Sequence, residues 1–230
     1  MNLENVQRGT GPEIPLKIKD NLFVVVAGNI GSGKTTLTQK LSDRLGWKPY
    51  YESVSDNPHL ADFYDDMGRW SFPLQIYFLT HRFKTHQWIE TTSNSSIQDR
   101  SIYEDAHIFA RALYDSGDLT ERDYENYINL YQSMIQFINP PTIMVFLRRS
   151  VPKLMERISL RGRDYEQSIP EDYLTRLNQY YDEWYETYDL GKRLIVDTDD
   201  LDFLNNEDHF ENLVKKIFDS IDQQDMFFQF

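Results

Sequence analysis

The segment Gly28-Asn29-Ile30-Gly31-Ser32-Gly33-Lys34-Thr35 carries glycines, a lysine and a hydroxyl at every fixed position of Gly-x-x-x-x-Gly-Lys-Thr, the Walker A or P-loop pattern. Its chemistry is phosphate binding. Glycines let the main chain wrap closely, so that N–H groups point at a β-phosphate. Lys34 brings a point charge to the β/γ oxygens, and the Thr35 hydroxyl suits Mg²⁺. The helix that follows, opening through Thr35 and Thr36, adds its positive end.

Three more groups of residues can handle charge. Glu52 ends the second strand candidate, on the rim where the phosphates would lie, and could take a proton from an attacking hydroxyl. A solvated loop glutamate is the plainer reading. Asp99-Arg100-Ser101 follows the third strand candidate on the same rim. There Asp99 could hold Mg²⁺ and Arg100 could neutralise a transferring phosphoryl group, unless the two merely cap the next helix. Arg157, Arg161, Gly162 and Arg163 run off a helix into a loop, either a lid that closes on phosphates or a solvated basic helix end.

The elements that position these groups follow from pattern. Leu22–Ala27 is a continuous apolar run of the kind buried on both faces of a parallel sheet. Lys34–Leu45 reads as a helix ended by Gly46. Weaker strands are expected at Trp47–Tyr51 and Ser95–Gln98, and a helix at Ser71–Glu90 from the spacing of Phe72, Ile76, Leu79 and Phe83. Helices are expected at Ile102–Tyr114 and from the capping group at Thr120 to Ile138, where Pro140-Pro141 ends the segment. Thr142–Leu147 is a second buried strand, followed by helices at Val151–Leu160 and Pro170–Asp189, the latter with a Ser168/Glu171 capping box. Leu194–Val196 is the last strand, before a loop and a helix ending near Asp222. The alternation predicts an α/β fold of the P-loop NTPase class: a doubly wound sheet of five parallel strands, flanking helices and an arginine-rich lid.

At 230 residues with a net charge of -13 and no cysteine, the chain suits a reducing compartment, and the cytoplasm is the expected location. An acidic surface disfavours nucleic acid as a partner. No run is long enough to span a membrane. Residues 1–20 read as a flexible lead-in to one domain at 21–230. The aromatic tail, Phe227, Phe228 and Phe230, has no assignable role.

Together these residues resemble the deoxyribonucleoside kinase family, over Leu22 to about Phe218. The likeness is carried by GNIGSGKTT at 28–36, YESVSDNP at 51–58, LQIYFLTHRF at 74–83, DRSIYEDAHIF at 99–109 and RISLRGRDYEQSIPEDYL at 157–174. Asp99 departs from the animal enzymes, which have Glu before the Arg-Ser pair, and is similar to the bacterial purine-deoxynucleoside members. The resemblance implies ATP and a deoxynucleoside as substrates, Mg²⁺ as cofactor, nucleotide salvage as the role, and a homodimer built through the helices around 71–90 and 120–138. It implies that Glu52 is the base on the 5′-hydroxyl beside Arg100, with Asp99 holding Mg²⁺ or taking the base role itself. Tyr64 and Glu166 would hold the sugar 3′-hydroxyl. Gln75 would read the base edge, with Arg82 and Asp105 deeper and Phe109 stacking on the ring. Gln75 and Arg82 lie two helical turns apart, so they share a face, as do Asp105 and Phe109.

Two other readings compete. A nucleoside monophosphate kinase of thymidylate-kinase type also uses a P-loop, an Asp-Arg pair and an arginine lid, but it needs further cations for the acceptor's own phosphate. A non-catalytic relative, like an accessory subunit of mitochondrial respiratory complex I, would lack the loop lysine or the base. Lys34, Glu52 and Arg100 are all present.

Overall fold

The computed structural model describes residues 21–52, 57–163, 166 and 169–222. The lead-in at 1–20, the capping serine at 168 and the aromatic tail at 227–230 lie outside the described residues. The apolar run Phe23–Gly28 forms β1, and the phosphate loop leads from it into α1 (Lys34–Leu45). β2 (Lys48–Tyr50), α2 (Leu60–Asp65), α3 (Met67–Thr91) and β3 (Ser96–Asp99) follow. Next come α4 (Ile102–Glu104), a π-helical turn (Asp105–Ala110), α5 (Arg111–Asp115) and α6 (Glu121–Ile135). β4 (Ile143–Arg148), α7 (Val151–Arg161), α8 (Glu171–Thr187), β5 (Lys192–Asp197) and α9 (Glu207–Asp222) complete the order.

The five strands make one parallel sheet in the order β2-β3-β1-β4-β5. The chain winds outward both ways from β1, so a crevice opens at the carboxyl ends of β1 and β3. Register sets Val26 beside Asp99, which puts the phosphate loop and the Asp99-Arg100 pair on neighbouring strand ends. Alternation along β1 divides the core. Val24 and Val26 pack with Leu37 and Leu41 of α1 and with Phe210, Leu213 and Ile217 of α9. Val25 and Ala27 face the opposite layer, with Leu79, Ile102, Tyr127 and Trp184. Among the described residues no helix is long and apolar enough to cross a membrane.

Several expectations shift. α3 begins before Ser71 because the Asp66 side chain accepts from Arg69 N–H and caps the helix earlier, leaving Pro73 inside it. α2 carries too short an apolar pattern to be seen in the sequence. The helix expected at Ile102–Tyr114 is interrupted by the π-helical turn, which keeps Asp105 and Phe109 on the crevice side. Such turns occur often at functional sites. β5 is longer than Leu194–Val196 because its first four residues are only half-buried, so Lys192 and Arg193 fit there. Leu79 of α3 is wholly buried in the core cluster that holds Val25, Ile102 and Tyr127. Leu79→Ala should therefore cost about 2–5 kcal/mol, read as a lower urea midpoint at unchanged m-value.

Candidate active site

The phosphate loop is shaped by close approach. At Gly28, with φ 148°, an added Cβ would lie 2.7 Å from both Leu147 O and Ser32 Oγ. Gly33, at φ 100°, makes the left-handed turn into α1. The Asn29 side chain donates to Leu174 O (2.9 Å) and Asn178 Oδ1 (2.7 Å), tying the loop to α8 rather than facing a ligand. Lys34 is buried and its Nζ donates to Asn29 O at 2.9 Å. Burial, helped by repulsion from Arg100, lowers its pKa to about 8 against the pull of Asp99 and Glu52.

Thr35 Oγ1 donates to Asp99 Oδ2 at 2.5 Å. Asp99 Oδ1 is buried with no hydrogen-bond partner among the described residues. A hydroxyl and an orphaned carboxylate oxygen side by side are a donor set that Mg²⁺ accepts. Burial raises the pKa of Asp99 despite Lys34.

Two cavities meet at this point. The first runs from Gly31, Gly33, Lys34, Thr35 and Thr36 to Arg149, Arg157, Arg161 and Arg163, with Leu201–Leu204 closing one side. Of the other loop residues singled out from the sequence, Ile30 lines the second cavity, and Gly28, Asn29 and Ser32 line neither. Arg149 was missed by the sequence reading. It is buried, and its Nε donates to Thr198 Oγ1 at 3.0 Å. Its signal was available: it follows a buried strand on the same rim as Glu52 and Asp99.

The second cavity is lined by Glu52, Tyr64, Gln75, Arg82, Asp99, Arg100, Asp105, Phe109 and Glu166. Phe63, Phe78 and Tyr173 also line it; Phe78 and Tyr173 stand within the segments 74–83 and 157–174, but nothing in the sequence singled out any of the three. Arg82 Nη2 donates to Glu52 Oε1. Arg82 Nη1 lies 2.8 Å from Asp105 Oδ1, and Arg100 Nε lies 3.8 Å from Glu52 Oε1. Burial would raise the pKa of Glu52, but Arg100, Arg82 and Lys34 outweigh it and bring it to about 2. Burial raises Asp105 to about 7 against the pull of Arg82. Arg100 stacks 4.3 Å over the Phe109 ring, and Arg82 4.7 Å over Phe78. The amide oxygen of Gln75 is buried with no partner among the described residues.

Arg161 and Arg163 border both cavities, as do Gly31, Lys34 and Thr35. Both arginines rest on Glu166, with Arg161 Nη2 at 2.6 Å and Arg163 Nη1 at 3.2 Å. The shared wall therefore presents a lysine, a hydroxyl and two guanidiniums where a donor in one cavity would face an acceptor in the other.

Residues 24–222 match the family model described as deoxynucleoside kinase. A deoxyadenosine/deoxycytidine kinase of Bacillus subtilis (strain 168) is 38% identical over 87% of this chain and 93% of its own length. A deoxyguanosine kinase of Lactobacillus acidophilus is 40% identical over 86% of this chain and 90% of its own. Among solved structures, a deoxyadenosine kinase from M. mycoides with products dCMP and a flexible dCDP bound superposes with a TM-score of 0.76 at 30% identity, covering 86% of this chain and 100% of that one. The same kinase with bound dATP gives a TM-score of 0.75 at 31% identity, covering 86% and 99%. With its phosphate loop, paired cavities and near-complete coverage by these relatives, the chain belongs to the deoxynucleoside kinase family.

Proposed function

We propose that this protein transfers the γ-phosphoryl group of ATP to the 5′-hydroxyl of a deoxynucleoside, with a purine preferred. The observation that carries the reading is Glu52, an anion between Arg82 and Arg100 in the cavity next to the phosphate loop. A fixed anion there repels an acceptor that already bears phosphate and welcomes a neutral hydroxyl. Arg82, Arg100, Arg161 and Arg163 each lie beside a carboxylate. That pairing disfavours the monophosphate-kinase alternative, which needs unspent cations on the acceptor side.

In this mechanism Lys34 and the loop N–H groups hold the donor's β/γ oxygens. Thr35 and Asp99 would hold Mg²⁺, which would supply positive charge against the donor's phosphates. Tyr64 and Glu166 hold the 3′-hydroxyl, and Gln75 meets the base edge. Glu52 accepts the 5′-hydroxyl proton. A carboxylate with a pKa near 2 is a weak base. Phosphoryl transfer through a loose transition state releases the proton late, so orientation matters more than basicity. Asp99 already accepts from Thr35, which favours the metal role for it over the base role. Arg100, Arg161 and Arg163 neutralise charge on the moving group, and Arg157 faces the donor's phosphates. The same reading carries a role in nucleotide salvage in the cytoplasm and a homodimer through α3 and α6. Exposed Trp88 and Leu130 on those helices support the dimer, which light scattering would test.

Lys34→Ala should fold normally and lose most turnover, because transfer is mainly electrostatic. Wild-type activity in that variant would end the phosphate-loop assignment. Glu52→Gln should lower kcat by about 10²–10⁴-fold with nucleoside affinity little changed. Asp99→Asn should instead raise the Mg²⁺ concentration needed for half-maximal rate. Loss of rate at Asp99 with none at Glu52 would reverse the two roles.

Asp105 and Arg82 set the expected substrate order. Asp105 can accept from an exocyclic amine, and Arg82 can donate to a ring nitrogen or to O6 of guanine. Thymine offers no amine at that position, which leaves a buried polar group unpaired at a cost of about 1–3 kcal/mol. Deoxyadenosine or deoxyguanosine should be the best substrate and thymidine the poorest, by about ten- to hundredfold. The Arg82→Met plus Asp105→Ala double variant should gain thymidine activity, and kcat/KM across the four deoxynucleosides would show whether the ranking changes.

A further inference from the structure

The reaction as described leaves one wholly buried carboxylate without a task. Glu104 is the last residue of α4, and no cation lies within ion-pair distance of it among the described residues. Its two oxygens accept four hydrogen bonds. Oε2 takes Ser101 N–H (2.8 Å) and the Ser101 hydroxyl (3.2 Å). Oε1 takes the Tyr181 hydroxyl (2.8 Å) and Gly28 N–H (3.3 Å).

A helix cap explains only half of this. The contact with Ser101 closes the first turn of α4, and one oxygen suffices for it. The other oxygen reaches across to the end of β1, where Gly28 opens the phosphate loop, and to Tyr181 on α8. α8 in turn grips the loop one residue later, through the Asn29 side chain. Ser101 directly follows Arg100, whose left-handed backbone (φ 68°) aims its guanidinium at Glu52. Glu104 thus joins the start of the donor's cradle to the turn that carries a cation of the acceptor's cavity.

We propose that Glu104 is a positioning residue that fixes the phosphate loop and the Arg100 turn relative to each other, so that donor phosphate and acceptor hydroxyl meet in register. The inference rests on the phosphoryl-transfer reading of the site. The task requires a carboxylate. The two hydroxyls can turn and accept, but the N–H groups of Gly28 and Ser101 only donate. A glutamine in this place has one acceptor oxygen and one donor nitrogen, so it satisfies one main-chain amide and leaves the other buried and unpaired. Misplacing reacting groups by about 1 Å costs roughly a hundredfold in rate.

The test compares wild type, Glu104→Gln, Glu104→Asp and Tyr181→Phe with Mg-ATP and deoxyadenosine, well below each melting temperature. Glu104→Gln should lose about ten- to hundredfold in kcat while both KM values stay within about twofold. Glu104→Asp keeps the charge but is too short to span both amides, so it should also lose kcat, and it serves if the glutamine variant does not fold. Tyr181→Phe keeps both amide acceptors and should lower the melting temperature while holding kcat within about threefold. Hydrogen–deuterium exchange reads the same geometry without turnover: amides of the peptides containing Gly28 and Ser101 should exchange faster in Glu104→Gln and Glu104→Asp than in Tyr181→Phe. Unchanged exchange, unchanged kcat, or losses that merely follow melting temperature in all three variants would overturn the positioning role. A wild-type protein inactive on every deoxynucleoside would overturn the reaction itself, leaving the exchange result to decide the role of Glu104.

Discussion

A buried anion held between two guanidiniums sets the terms for the rest of the molecule. Glu52, Arg82, Arg100 and Asp105 come from four separate places: the loop after β2, the middle of α3, the end of β3 and the π-helical turn. Each alone would be costly to bury, by several kcal/mol per ion, and only mutual pairing offsets that. The fold must therefore bring these elements within ion-pair reach, which constrains the length of α3 and the bulge in the helix that follows Arg100. The aromatic rings of Phe78 and Phe109 complete the arrangement by covering the guanidinium faces.

The distribution of charge follows the same logic on a larger scale. The protein carries a net charge of -13, yet the wall around the donor's cavity gathers Lys34, Arg149, Arg157, Arg161 and Arg163. A polyanion is thus repelled by most of the surface and attracted by one crevice, which favours selective capture over loose adhesion. The four arginines facing the second cavity, Arg82, Arg100, Arg161 and Arg163, are matched by Glu52, Asp105 and Glu166. One side of the crevice is prepared for charge and the other for neutral polar groups.

Much of this could be read from the residues alone, for identifiable reasons. β1 and β4 announce themselves because a strand buried on both faces tolerates almost no polar residue. The start of α1 is visible because phosphate cradling leaves few choices of residue type. α1 ends where Gly46, in the left-handed region at φ 69°, stops it. What stayed hidden depended on partners distant in sequence. The π-helical turn has no one-dimensional signature, since Ile102–Tyr114 keeps a helical apolar pattern throughout. Phe63, Phe78 and Tyr173 look like ordinary core aromatics until the crevice opens beside them. The attachment of Arg161 and Arg163 to Glu166 also arises from tertiary proximity, because a sequence of arginines around Gly162 does not say which anion they meet.

Arg100 occupies a backbone region that costs a residue with a side chain about 1–3 kcal/mol. Glycine would sit there without that strain, but Arg100→Gly would also delete the guanidinium that pairs with Glu52 and covers the Phe109 ring. Breaking a buried pair costs about 3–5 kcal/mol, more than the strain returned, so robustness and turnover fall together at this position. A library screened only for heat resistance would therefore retain the arginine with no selection for product.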